Sequence, residues 1–285
     1  VNDVLREWAG LGYYARARNL HRCAQIITLD HAGEFPKEEA ELLKLPGIGP
    51  YTAAAMAAIA FGKDATPVDG NVERVIARVY RMKSPIKENK LIIKSLASQN
   101  TPKARTGDYA QAVMDLGATV CTPRRPLCFT CPLTELCEAF LHEETHAIPI
   151  SKKKKKAPRR EGTAYVIINT ADEILLYRRA ERGLLGGMLE VPSVGWEQHE
   201  RHSELIRKVT MCRPYSKAIP GTVEHVFTHF KLVLRVVVMR VEKNDWLAGL
   251  HWYSLDKIAR VGLPKLMLKV VRHFLSSAED SNNPK

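Results

Sequence analysis

The chain has 285 residues, 45% of them hydrophobic, enough for two domains of ordinary size with sizeable cores. It carries 43 Lys and Arg against 31 Asp and Glu, and the resulting net charge of +12 points toward a polyanionic partner such as nucleic acid. No apolar run approaches the roughly 20 residues of a membrane helix.

Residues 1–144 read as helical. The chain opens at Val1 inside a helical stretch, VNDVLREWAGLG, so its true N-terminus is expected upstream. Apolar positions then recur at helical spacing through Asn19–Leu29, Glu38–Leu45, Thr52–Phe61, Val72–Met82, Leu91–Ala97 and Tyr109–Val120, separated by short Gly/Pro punctuation. Between the second and third of these lies KLPGIGPYTA (44–53), where Gly47 and Gly49 permit a tight turn. Amides of that turn, at the start of the next helix, suit a backbone phosphate. Further on, Asp69 in VDGN precedes a helix and reads either as its N-cap or as a buried catalytic carboxylate.

Cys121, Cys128, Cys131 and Cys137 follow with the spacing C-x6-C-x2-C-x5-C, four of the six cysteines in the chain. Four thiolates this close can hold one metal centre. A single C-x2-C with longer flanking gaps suits an iron–sulfur cubane, with zinc and two disulfides as the other readings. Pro123, Pro126 and Pro132 stiffen the loop, and Arg124 and Arg125 in its long gap are either phosphate contacts or solvated surface.

SKKKKKAPRR (151–160) reads as an extended linker. Beyond it, strands are expected at Thr163–Asn169, Glu173–Arg178 and Lys231–Val241, with weaker ones at Val223–Phe230 and Leu250–Tyr253, and an amphipathic helix at Leu263–Ser276. The second half is therefore α+β. The expected organisation is a helical domain over 1–144 with the cysteine loop at 121–137, a basic linker over 145–161, an α+β domain over 162–278 and a tail over 279–285.

The hairpin LPGIGPYTA, the aspartate of VDGN and the cysteine loop, in this order, resemble the helix-hairpin-helix DNA glycosylases of the endonuclease III superfamily. GLGYYARARNL (10–20) and the α+β half resemble its adenine-specific branch, whose members carry a Nudix-like domain. The resemblance implies a multidomain fold: an all-α helix-hairpin-helix glycosylase domain with an iron–sulfur loop, then an α+β Nudix-like domain. It implies base excision repair, with adenine mispaired with 8-oxoguanine or guanine removed by hydrolysis of its N-glycosidic bond.

Residue by residue, the resemblance implies that Asp69 stabilises an oxocarbenium-like sugar, with Tyr51 lining the same pocket and Asn71 beside the aspartate. Tyr51 stands where bifunctional relatives have a nucleophilic lysine, which argues for simple hydrolysis; Lys44 and Lys63 flank the motif and do not replace it. One of Tyr13 and Tyr14 is expected in the core, and the resemblance makes Tyr13 the wedge that enters the base stack. Gly47, Gly49, Arg124 and Arg125 would contact DNA, Arg16 and Arg18 are phosphate contacts or solvated surface, and Cys121, Cys128, Cys131 and Cys137 would hold a 4Fe-4S cluster. Phe227, Thr228 and His229 match a loop that reads the oxidised guanine, with Thr in place of the more usual Ser. The family's general-acid glutamate falls upstream of Val1, so the chain as given is expected to be nearly inactive, leaving-group protonation being worth roughly 10²–10⁴-fold. GGMLEVPSVGWEQHERHSELIRK lacks the acidic cluster of a working Nudix hydrolase, which argues against nucleotide hydrolysis.

The implied partner is duplex DNA bearing A·8-oxoguanine or A·G mispairs, bound by a monomer away from any membrane. The implied location is the bacterial cytoplasm and nucleoid, or a eukaryotic nucleus or mitochondrion. A bifunctional glycosylase/lyase and a non-catalytic DNA-binding module are the competing readings.

Overall fold

The computed structural model describes residues 1–150, 157–197, 202–211, 214–242 and 251–282. Cys212 and residues 151–156 of the basic linker lie outside these. The chain packs as two units, Arg22–Lys154 and Val1–His21 together with Lys155–Lys285. This division departs from the expected boundary, because the first 21 residues group with the C-terminal unit. The physical reason is a small core in which Leu5, Tyr14 and Ala17 are buried with Met188. Helix α2 (Tyr14–Asp30) therefore contributes to both units.

In the unit Arg22–Lys154, α3 (Glu39–Leu42) and α4 (Pro50–Ala55) form the hairpin around Gly47, whose φ of +80° requires the left-handed region. Gly49 caps α4 and Pro50 opens it, where a missing amide costs nothing. Ala53, Ala54, Ala57 and Ala58 are all buried here, packed with Leu42, Leu45, Cys23 and Ile27. Small side chains at these positions allow the helices to approach closely. The helix continues past α4 as a π-helical segment, Met56–Ala60.

Then follow α5 (Gly70–Val79), α6 (Lys90–Asn100) and α7 (Thr106–Asp115), the last also running into a π-helical segment, Leu116–Val120. π-Segments of this kind concentrate at functional sites. Val72, Ile76, Ile93 and Ala97 bury the seam between α5 and α6. The cysteine loop follows and ends in α8 (Glu138–Leu141).

In the other unit, α1 (Asn2–Glu7) and the start of α2 pack against Leu185 and Met188, and the rest is built on a mixed sheet. Its strands are β1 (Arg159–Asn169), β2 (Glu173–Leu175), β5 (Ser193–Val194), β6 (Tyr215–Val226), β7 (Lys231–Val241) and β8 (Trp252–Ser254), ordered β6-β7-β1-β2-β8 with β5 also on β1. A short hairpin pairs β3 (Tyr177–Arg178) with β4 (Leu189–Glu190). β1 and β7 are parallel and central, so both faces must be covered, which explains the near-continuous apolar run LVLRVVVMRV. On one face Val166, Ile168, Leu232, Leu234 and Val236 meet Leu266, Met267, Val270 and Phe274 of α10 (Lys265–Asn282). On the other, Ile167, Met239 and Val241 meet Ile206 and Val209 of α9 (Ser203–Met211).

The weaker strand expected at Val223–Phe230 is instead the end of β6 and a tight turn. Pro220 and Gly221 fall where the β6 register slips between Ile219 and Val223, which hid the first half of that strand from its alternation. Buried Arg179 donates to both Glu190 and Glu197, and Glu190 also pairs with His202 at 2.9 Å. Carboxylates in the Nudix-like stretch are thus engaged with protein cations.

Candidate functional site

In the unit Arg22–Lys154 the site is built around the start of α5. Asp69 is its N-cap: Oδ1 accepts from the amides of Asn71 at 2.9 Å and Val72 at 2.8 Å. Oδ2 accepts from Asn71 Nδ2 at 2.9 Å. The N-cap reading of Asp69 holds, and capping fixes the carboxylate, which is half-buried rather than buried.

Asn71 is itself held. Arg74 donates to Asn71 Oδ1 at 2.9 Å, to Gly117 O at 2.6 Å and to Cys121 O at 2.7 Å. Gly117 lies so close that a Cβ there would sit 2.6 Å from Asn71 Cβ. One turn on, Arg78 is 1% exposed and donates to Cys121 Sγ, Thr122 O, Pro123 O and Ile148 O. A single helix thus carries the carboxylate, the residue that orients it and two guanidinium groups that bind the cysteine loop. Asp69 and Asn71 are brought together as expected. Tyr51 is not hydrogen-bonded to Asp69; its hydroxyl donates to Met114 Sδ on α7 at 3.3 Å.

At the hairpin, the first amides of α4, those of Tyr51 and Thr52, have no intrahelical acceptor and face outward with the exposed Tyr51. Arg124 and Arg125 are exposed on the cysteine loop.

The four loop cysteines are free thiols that line one cavity of about 30 Å³ with Val120, Pro126, Leu127 and Phe140. Disulfides are therefore absent among them. No three Cys, His, Asp or Glu among the described residues close round a single ion. Four thiols thus line one apolar cavity, with Arg78 donating to the Cys121 sulfur.

In the other unit, a cavity of about 660 Å³ is lined by Gly10–Ala15, Arg18, Gly183–Gly186, His225–Thr228 and the start of α10. Tyr13 is 72% exposed with φ +48°, a strained backbone for an aromatic residue, while Tyr14 is 5% exposed. Trp8 Nε1 donates to Gly12 O and the Gly10 amide to Tyr14 Oη, which lock this turn. Tyr14 is thus the core tyrosine and Tyr13 the presented one. Arg18 is held by Gly186 O.

Phe227, Thr228 and His229 form the tip between β6 and β7, closed by the Phe227 amide donating to Phe230 O at 2.9 Å. Phe227 stacks on Trp196 and lies edge-on to His225, whereas Thr228 and His229 are exposed. His225 Nδ1 is buried without a partner, and burial, then Lys269 and Lys265, hold the imidazole below its usual pKa.

Residues 1–98 match the HhH-GPD superfamily of base excision DNA repair proteins, and residues 163–273 match the NUDIX domain. The chain is 32% identical over 336 residues to a human adenine DNA glycosylase, covering 96% of this chain and 61% of that protein. It is 33% identical over 313 residues to an Arabidopsis thaliana adenine DNA glycosylase (94% of this chain, 49% of that protein). It is 29% identical over 281 residues to one from Buchnera aphidicola (Schizaphis graminum), at 96% and 80% coverage. The chain thus spans about three-fifths of the human relative's length. With a helix-hairpin-helix unit, a capped aspartate tied to a four-cysteine loop and a Nudix-like sheet, the chain is similar to adenine DNA glycosylases over nearly its whole length.

Proposed function

We propose that the chain recognises adenine opposite 8-oxoguanine or guanine in duplex DNA and acts in hydrolysis of the adenine N-glycosidic bond. The observation that carries this reading is the Asp69 carboxylate, fixed by three N–H donors and only partly buried. In this reading Asp69 stabilises positive charge developing on the sugar as adenine departs. Asn71, held by Arg74, sets the carboxylate's orientation, and Tyr51 lines the base pocket. Tyr51 has no amine with which to form a Schiff base, so no covalent enzyme–DNA adduct is expected.

Gly47 and Gly49 shape the amides that take a backbone phosphate, and Arg124 and Arg125 add phosphate contacts. Tyr13 wedges into the stack, and Phe227, Thr228 and His229 read the base opposite adenine. Cys121, Cys128, Cys131 and Cys137 would hold a 4Fe-4S cluster, which when bound braces the loop that carries Arg124 and Arg125. The protein works as a monomer wherever duplex DNA is repaired, in a nucleoid, a nucleus or a mitochondrion.

The test uses duplexes bearing A·8-oxoguanine, A·G and A·T. Tighter binding to the first two is expected, with any alkali-labile abasic sites depending on Asp69 and no adduct trapped by borohydride. Equal binding to all three would refute the reading; a trapped adduct would replace it with the glycosylase/lyase alternative.

A further inference from the structure

The unit that contains the sheet has a second cavity, of about 220 Å³, which shares no lining residue with the one beneath Phe227. Three arginines line it from three separate elements: Arg6 on α1, Arg178 on β3 and Arg260 at the end of the 3₁₀ turn Leu255–Arg260. Tyr253 forms part of the wall, and no carboxylate does.

Two left-handed glycines build this cavity. Gly262, at φ +81°, lies so close to α1 that a Cβ would sit 2.9 Å from Arg6 Cα. Gly187, at φ +72°, lies at ordinary van der Waals distance from the Leu5 and Arg18 side chains. Close approach of α1 at Gly262 thus places Arg6 on the cavity that Arg178 and Arg260 also line.

Three like charges on one cavity repel, and little inside the protein offsets that. Arg260 has no hydrogen-bond or ion-pair partner among the described residues. Arg178 uses one N–H on Gly187 O at 2.8 Å. Arg6 pairs with Asp3 at 2.9 Å and Glu7 at 3.5 Å, both 82% exposed, and such surface pairs are weak. Planar N–H forks therefore remain for an oxyanion, and guanidinium groups match phosphate in both charge and geometry.

We propose that this cavity binds a phosphate group, supplied by the backbone of bound DNA or by a free phosphate or nucleotide. Only the DNA source rests on the glycosylase reading; the anion chemistry does not. Arg260 is the residue to change, because its loss orphans no protein group.

DNA affinity is measured across potassium chloride concentrations for Arg260→Ala, Arg260→Lys and the unmodified chain, on undamaged and A·8-oxoguanine duplexes. Inorganic phosphate is titrated calorimetrically in parallel. With a backbone phosphate in the cavity, Arg260→Ala weakens both duplexes alike and flattens the slope of log K against log salt by about 0.9, while Arg260→Lys largely keeps it. An unchanged slope, together with saturable phosphate binding that Arg260→Ala removes, assigns the cavity to a free phosphate. An unchanged slope with no saturable phosphate binding overturns the proposal. Failure of the unmodified chain to bind DNA would sink the glycosylase reading, and the phosphate titration would still decide the site.

Discussion

Arg78→Met tests whether α5 holds the cysteine loop in place. The guanidinium is 1% exposed and donates to carbonyls at 2.8 Å (Ile148), 2.8 Å (Thr122) and 3.3 Å (Pro123), and to Cys121 Sγ at 3.2 Å. Methionine keeps most of the stem volume but leaves one buried carbonyl (Ile148) and two part-buried ones (Thr122, Pro123) without this donor. Each orphaned group costs about 1–3 kcal/mol, and entering water recovers part of this, so a net loss of about 3–5 kcal/mol is expected. That is a large share of the roughly 5–15 kcal/mol by which domains are stable. For a unit of this size it corresponds to a fall in Tm of roughly 10–15 °C. All four tryptophans lie outside Arg22–Lys154, so helical circular dichroism is the appropriate signal. Arg78→Lys, which keeps the charge but loses the fork, should fall between. A shift below about 3 °C for Arg78→Met would refute the idea that these bonds hold the loop.

Other perturbations have equally definite outcomes. Glu144 pairs with Arg81 at 2.6 Å and Lys83 at 3.0 Å, and these hydrogen bonds lower its pKa from 4.5 to about 2. A depressed folded-state pKa means that its stabilisation is complete above about pH 4.5 and disappears as pH falls toward 2. The Tm difference between the unmodified chain and Glu144→Gln should therefore be largest near neutrality and shrink in acid; a difference constant with pH would contradict the pairing. Gly117→Ala should cost about 1–3 kcal/mol in thermal unfolding, because the new methyl group would meet Asn71 Cβ at 2.6 Å. Phe274→Ala should cost about 3–5 kcal/mol, since α10 covers one face of the sheet through this residue.

Much of the fold could be read from periodicity. Lys231–Val241 matches β7 to the residue, and the helices over 70–120 differ from expectation mainly at their ends. α9 has no counterpart in the sequence expectation because its nine residues follow a polar stretch, and its apolar residues matter only once the sheet supplies a second face. The packing of residues 1–21 was hidden for a similar reason. It depends on Met188, which no local pattern links to Leu5.

In the site, motif order identified Asp69, Asn71 and the cysteines, but not what connects them. Arg74 and Arg78 are cations at i and i+4 within the apolar helix GNVERVIARV, on a face whose burial is plain only from the fold. A charge at a core-periodic position was the available signal: such a residue must find acceptors, and here it finds the cysteine loop. Periodicity does not separate Tyr13 from Tyr14; only the resemblance singled out Tyr13. The left-handed turn at Tyr13 decides which ring is buried.

The central claim, that Asp69 is placed to stabilise a cationic sugar, is tested most directly by binding rather than turnover. Duplexes carrying a protonated pyrrolidine or a neutral tetrahydrofuran in place of the adenosine sugar, each opposite 8-oxoguanine, are compared for the unmodified chain and Asp69→Asn. Asparagine caps helices as well as aspartate does, so this variant removes the charge and spares α5. An opposite charge at about 4 Å and an effective dielectric of about 20 gives roughly 4 kcal/mol before desolvation. A preference for the cationic sugar of about 10-fold or more is therefore predicted, and Asp69→Asn should abolish it. Equal affinity for the two duplexes, or a preference that survives Asp69→Asn, would contradict the account.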